Sequence, residues 1–173
     1  SESVNLSWKT NLTLVARAWL LSGDNTSALI DPPGAASRGV VLSNAKKVVV
    51  RGLSITGAGE GFSIRTGAVS NVMDSCRIYG NSFRGIEDEP GARANRYVNS
   101  EVFGNAGQGI RVRGPLAVFS NLRIHGNAAE GVLLTNGGTN RVVRNIIYSN
   151  GTYGVRIANS TNNKIINNTV TRS

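Results

Sequence analysis

Residues 104–112 read Gly104-Asn105-Ala106-Gly107-Gln108-Gly109-Ile110-Arg111-Val112. An Asn stands four places before a Gly, and that Gly opens a segment in which two apolar residues flank a variable one. The figure recurs along the chain. Gly39 opens GVVL, Gly61 GFSI, Gly85 GIED, Gly131 GVLL and Gly154 GVRI, so successive starts lie 22, 24, 24, 22 and 23 residues apart. Asn81, Asn105, Asn127 and Asn150 each precede their glycine by four. A glycine register over five intervals, with the Asn register locked to it in four units, marks an internal repeat, and a repeat decides architecture before any local pattern does. Each unit reads as three short strands: the glycine segment, a β-branched segment such as Asn140-Arg141-Val142-Val143, and a segment ending at a turn such as Leu122-Arg123-Ile124-His125. Alternating apolar positions bounded by Gly and Asn suit strands, and no 3.6-residue period persists.

About 23 residues at about 3.3 Å each give a perimeter of roughly 75 Å, one turn of a three-sided parallel solenoid whose turns stack at about 4.8 Å. Equivalent residues then form columns along the axis. Two inward columns read Val40, Phe62, Ile86, Ile110, Val132, Val155 and Ile55, Ile78, Val102, Ile124, Ile147, Val170. A turn column reads Gly52, Ser75, Asn99, Asn121, Arg144, Asn167, where stacked amides are expected to bond to one another and to the turn backbone. The expected organisation is one all-β domain over 1–173, with a cap-like segment over 1–38 and regular coils over 39–173. It reads as part of a longer chain.

Composition excludes several classes. With 40% hydrophobic residues the chain is not disordered, and no apolar run approaches the length of a membrane helix. Cys76 is the only cysteine and His125 the only histidine, which leaves no internal disulfide and no metal ligand set of that kind.

The six glycine starts and the Asn-containing turns resemble the right-handed parallel β-helix proteins, a group that includes pectate lyases, mannuronan C5-epimerases, copper-site maturation proteins of the nitrous oxide reductase system, and phage tail-spike depolymerases. The resemblance covers about residues 39–173, and the stretches Asn11–Leu14 and Ala28–Asp31 look like a first coil. It implies a right-handed solenoid of about six to seven coils, a secreted or cell-surface location, and an acidic polysaccharide as partner.

The repeat is broken at one place. The inward column Leu42, Ile64, Asp88, Val112, Leu134, Ile157 has one acid, with Glu87 and Glu89 beside it and Pro90 after it. Because proline removes a ladder donor, one expectation is that the strand ends early and Asp88 turns to solvent. The other is a site, with Glu87, Asp88 and Glu89 as acid/base groups or calcium ligands. The outward columns put Arg65, Arg111 and Arg113 around these acids and Arg156 on the same sheet, as carboxylate binders for a uronate. In the resembling epimerases this strand carries a Gly-aromatic-Asp-Pro-His-acid motif. Gly85-Ile86-Glu87-Asp88-Glu89-Pro90 keeps the Gly, acids and Pro in another order and lacks the His. A second outward column stacks Tyr79, Phe103, His125 and Tyr148 and is expected to offer ring faces to sugars.

The formal charge of +9 is uneven. Residues 1–101 hold 11 basic and 9 acidic residues, and residues 102–173 hold 8 and 1. A basic solenoid suits a polyanion, and no nucleic-acid motif or membrane-inserting segment appears. Two readings stand: a carbohydrate-active or carbohydrate-binding β-helix, lyase- or epimerase-like if it is an enzyme, and a non-catalytic structural solenoid. The second carries an expectation of end-to-end self-association, because an open solenoid end exposes unpaired backbone.

Overall fold

The computed structural model describes residues 3–26, 28–32, 34 and 36–171. Three parallel sheets of seven strands each wind into a right-handed β-solenoid of about six turns. The first sheet holds the glycine segments, from Val4–Asn5 and Arg38–Leu42 through Arg84–Asp88 to Val155–Ala158. The second runs from Thr13–Val15 through Arg96–Val98 to Lys164–Ile166, and the third from Leu29–Ile30 through Glu101–Phe103 to Thr169–Val170. Registers match the columns read from the sequence: Ile86 pairs with Phe62 and Ile110, and Val102 with Ile78 and Ile124.

The core is the set of inward columns. Val40, Phe62, Ile86, Ile110 and Val132 are buried on the first sheet, and Ile55, Ile78, Val102, Ile124 and Ile147 on the third. The second sheet adds Val50, Met73, Tyr97, Phe119 and Val142. In the last coil the columns open: Ile157, Ile165 and Val170 are exposed. The first coil departs from the repeat, because a six-residue helix, Arg17–Ser22, replaces its short corner between the second and third sheets. Trp19 of that helix lies against Gly52, where any side chain would collide with it, whereas Trp8 is exposed.

The glycine starts from Gly39 to Gly131 are required by space. A Cβ on Gly85 would lie 2.6 Å from the Gly109 carbonyl oxygen and 2.9 Å from the Asn105 amide nitrogen. That amide belongs to a buried chain of side chains: Asn81 Nδ2 donates to Asn105 Oδ1 (2.8 Å), Asn105 Nδ2 to Asn127 Oδ1 (2.8 Å), and Asn127 Nδ2 to Asn150 Oδ1 (2.9 Å). The turn column is different. Ser75, Asn99, Asn121, Arg144 and Asn167 all sit at left-handed φ near +50° to +57°, and the amide contact there is Asn121 Nδ2 to Asn99 Oδ1 (2.8 Å) on the exposed corner. The continuous amide chain therefore runs through the residues that mark the repeat register.

Candidate functional site

The strand Arg84–Asp88 continues through Asp88, so the expectation of an early end and a solvent-facing acid is corrected. Asp88 points inward and is fully buried. Its Oδ2 accepts from the Tyr97 hydroxyl at 2.5 Å and from Asn95 Nδ2 at 3.5 Å, while Oδ1 has no hydrogen-bond partner. Burial pushes its pKa up to about 7, against the two hydrogen bonds that pull it down. An acid sealed in the core does not reach a polymer outside it.

Glu87 and Glu89 lie on the outer face. Glu87 is nonetheless only 1% exposed, because arginines cover it. Arg113 Nη2 lies 2.7 Å from Glu87 Oε1, and Arg84 Nε lies 3.4 Å from Oε2. Burial raises the Glu87 carboxyl above the usual range and outweighs Arg84, Arg113 and Arg111, which pull it down. Glu89 pairs with Arg65 at 3.5 Å. Arg111 adjoins this cluster, with its buried Nε unpartnered, whereas Arg156 is committed to Glu130 at 3.0 Å. Glu87, Asp88 and Glu89 do not converge, and among the described residues no three His, Cys, Asp or Glu side chains could hold a metal ion.

The sequence reading missed the residue before each glycine. Arg38, Glu60, Arg84, Gln108 and Glu130 form one column of alternating partners: Arg38 to Glu60 (3.2 Å), Arg84 to Glu60 (3.8 Å), Arg84 to Gln108 (2.9 Å) and Gln108 to Glu130 (3.1 Å). Its signal was available as a run of charged or amide residues one place before the repeat glycine, with the sign alternating over Arg38, Glu60 and Arg84.

On the third sheet Tyr79, Phe103, His125 and Tyr148 stack with centroids 5.0, 5.2 and 4.7 Å apart and planes within 10°. Rings this close and this parallel meet face to face, so the inner rings use both faces on each other. Their edges and the two end faces remain for other contacts, and the expected platform of open ring faces is corrected accordingly. His125 Nε2 lies 3.1 Å from Glu101 Oε1. Burial raises Glu101, but His125 and Arg77 outweigh it and hold the carboxyl below its usual range.

Ion pairing is denser on two faces than on the third, although Arg111 of the first sheet forms no salt bridge among the described residues. On the first and third sheets Arg38, Arg65, Arg77, Arg84, Arg113, Arg123 and Arg156 all meet carboxylates. On the second sheet Arg51 meets Asp74. Among the described residues, Arg96, Arg141 and Lys164 on that sheet have no carboxylate partner, nor do Arg93 and Arg144 at its margins, and all five are exposed. Arg96, Val118, Arg141 and Lys164 are register partners in one column. Arg141, Lys164, Val118 and Leu116 line a depression of about 320 Å³.

The family model described as "Right handed beta helix region" matches residues 24–115 and 91–173. No curated protein matches the sequence. Among solved structures, the periplasmic alginate epimerase AlgG is similar with a TM-score of 0.68 at 12% identity over 77% of this chain and 42% of its own. Pectate lyase Pel9A gives 0.61 at 20% identity over 71% and 34%. Tailspike protein 2 of Escherichia coli O157:H7 bacteriophage CAB120 gives 0.69 at 15% identity over 95% and 28%. The chain thus spans less than half the length of each of these proteins, and the likeness is one of fold.

Proposed function

The chain belongs to the right-handed beta helix family, and from that premise we propose that it is an exported solenoid that binds an acidic polysaccharide without processing it. The observation that carries this reading is the set of exposed cations without a carboxylate partner, among the described residues, on the later coils of the second sheet: Arg96, Arg141 and Lys164. Arg96, Arg141 and Lys164 share one register column, interrupted by Val118 in the coil after Arg96, and a column of cations along the axis suits a linear polyanion. The polysaccharide-acting names of the similar structures, an alginate epimerase and a pectate lyase, support the choice of polyanion. The chemistry of the acid cluster supports binding over turnover. Proton abstraction needs a base within hydrogen-bond reach of the sugar, yet Asp88 is sealed, Glu87 is covered by arginines and Glu89 is held by Arg65.

Affinity electrophoresis through gels containing alginate, pectate, a glycosaminoglycan or a neutral glucan tests it. Retardation by acidic polymers alone, weakened by added salt and by the triple change Arg96→Ala, Arg141→Ala, Lys164→Ala, is the expected result. Ultraviolet absorbance of the mixtures is expected to show no unsaturated uronate. Equal retardation by the neutral glucan defeats the proposal. Absence of any retardation returns the chain to the structural-solenoid reading, which the buried amide chain of Asn81, Asn105, Asn127 and Asn150 favours.

A further inference from the structure

A groove of about 520 Å³ follows the corner between the second and third sheets, a size typical of small-ligand sites. Two neighbouring columns line it. One is the left-handed turn column, Asn99, Asn121 and Arg144; the other is the first outward residue of the third-sheet strands, Arg77, Glu101 and Arg123. Asn25, pinned by its Nδ2 to the Ser75 carbonyl at 3.1 Å, stands at the N-terminal side together with Thr26. Leu122 and Ile146 supply apolar surface.

We infer that this groove is the uronate-reading subsite of the polymer, taking a short run of uronosyl units with a sugar carboxylate on Arg144 and Arg123 and hydroxyls on Asn99, Asn121 and Glu101; the inference rests on the polysaccharide reading above. Asn99 accepts from Asn121 at Oδ1 and gives one Nδ2 hydrogen to Asp74 Oδ1 at 3.0 Å, which leaves its second Nδ2 hydrogen for a hydroxyl, and the other groups also keep capacity. Arg144 is exposed and has no carboxylate partner among the described residues. The Arg123 side chain is 60% exposed, lies a loose 3.9 Å from Glu101 and donates to the Tyr148 hydroxyl at 3.2 Å, so its guanidinium keeps donors for a ligand. A guanidinium grips a carboxylate through paired donors. Asn121 gives Nδ2 to Asn99, and among the described residues its side-chain oxygen accepts no hydrogen bond. Glu101, held ionised by His125 and Arg77, is an acceptor for sugar hydroxyls. A neutral sugar offers the hydroxyls but gives Arg144 nothing to pair with. The groove also joins the cationic sheet, since Arg141 and Arg144 stand three residues apart on either side of the corner. A polymer lying along Arg96, Arg141 and Lys164 passes its mouth.

Titration of the protein with trigalacturonate, trimannuronate and triguluronate, with maltotriose as the neutral control, tests the inference by calorimetry. Arg144→Asn is the informative variant, because Asn stands at the equivalent place in neighbouring coils (Asn99, Asn121, Asn167) and keeps the left-handed turn. The expected result is binding of at least one tri-uronate but not maltotriose, weakened about tenfold or more in Arg144→Asn, the scale of one charge-assisted contact. Arg96→Ala with Arg141→Ala is expected to weaken long polymer by a larger factor than the trimer. If long polymer binds while no trimer does, or if the trimer binds Arg144→Asn as well as the native chain, the groove is not the subsite and the polymer reading survives. If maltotriose binds as well as the tri-uronates, the carboxylate role is wrong. If neither trimer nor polymer of any uronate binds, both readings fall together. Arg123→Gln, on an exposed side chain, repeats the test independently.

Discussion

Asp88 is an acid in a column of aliphatic residues, and its consequence is a stability that depends on pH. In the unfolded chain its carboxyl titrates near its ordinary 3.8, whereas burial pushes the folded value to about 7. Between those values the native state keeps a proton that the unfolded state has released. The folded form therefore binds more protons, and stability falls as pH rises from about 4 to about 7, then levels off. At about 1.4 kcal/mol for each pH unit, the swing is roughly 4 kcal/mol. Asp88→Asn removes the titration. Urea unfolding at several pH values is expected to show the native chain losing stability relative to this variant across that window. A flat difference from pH 4 to 7 would refute the account. Tyr97→Phe removes the donor that lowers the Asp88 pKa, so its window is expected to extend to higher pH. That Asp88 breaks the column was legible in the sequence. That it stays in the core was not, because the partner that retains it, Tyr97, belongs to a different sheet and only the closed coil brings the two together.

The corners show the same limit at the scale of an element. The corners carry Asn at the repeat period both in buried columns and in an exposed one, and periodicity alone does not say which of these faces inward. The structure separates them. Asn105 is buried and serves five contacts: it accepts from the Asn81 amide and backbone N–H, and its Nδ2 reaches Asn127 Oδ1, the Ile78 carbonyl and the Phe103 carbonyl. Asn121 is exposed, with one amide contact and a left-handed φ of 56°. Asn105→Ala leaves buried donors of Asn81 unsatisfied and is expected to cost about 2–4 kcal/mol. Asn121→Ala loses an exposed contact and the residue type that tolerates this φ, an expected cost of about 1 kcal/mol. Denaturant midpoints of the two variants check the order. Equal losses would mean that the buried amide chain adds nothing beyond turn geometry.

Over the whole molecule the period, the three strands per coil and the inward columns were legible because a solenoid repeats its neighbour contacts, so one coil predicts the next. The helix Arg17–Ser22 was not, since it occurs once and its six residues carry no period. The division between paired and unpaired cations was only half legible. The excess of charge in the second part of the chain is visible by counting, but pairing depends on diagonal neighbours, as where Arg113 reaches Glu87 across two registers. The same one-dimensional character sets the distribution of stability. Each coil rests on its two neighbours, and the columns that are buried from Val40 to Ile147 become exposed at Ile157, Ile165 and Val170. The strand Lys164–Ile166, with Ile165 exposed, buries less apolar surface than Arg96–Val98 with its buried Tyr97, which places it lower in local stability. Hydrogen exchange is expected to be at least about a hundredfold faster for the ladder amides of Lys164–Ile166 than for those of Arg96–Val98, a difference of about 3 kcal/mol in opening free energy. Uniform protection along the axis would show that the coils open as a single unit and that the loss of burial at the last coil does not govern opening.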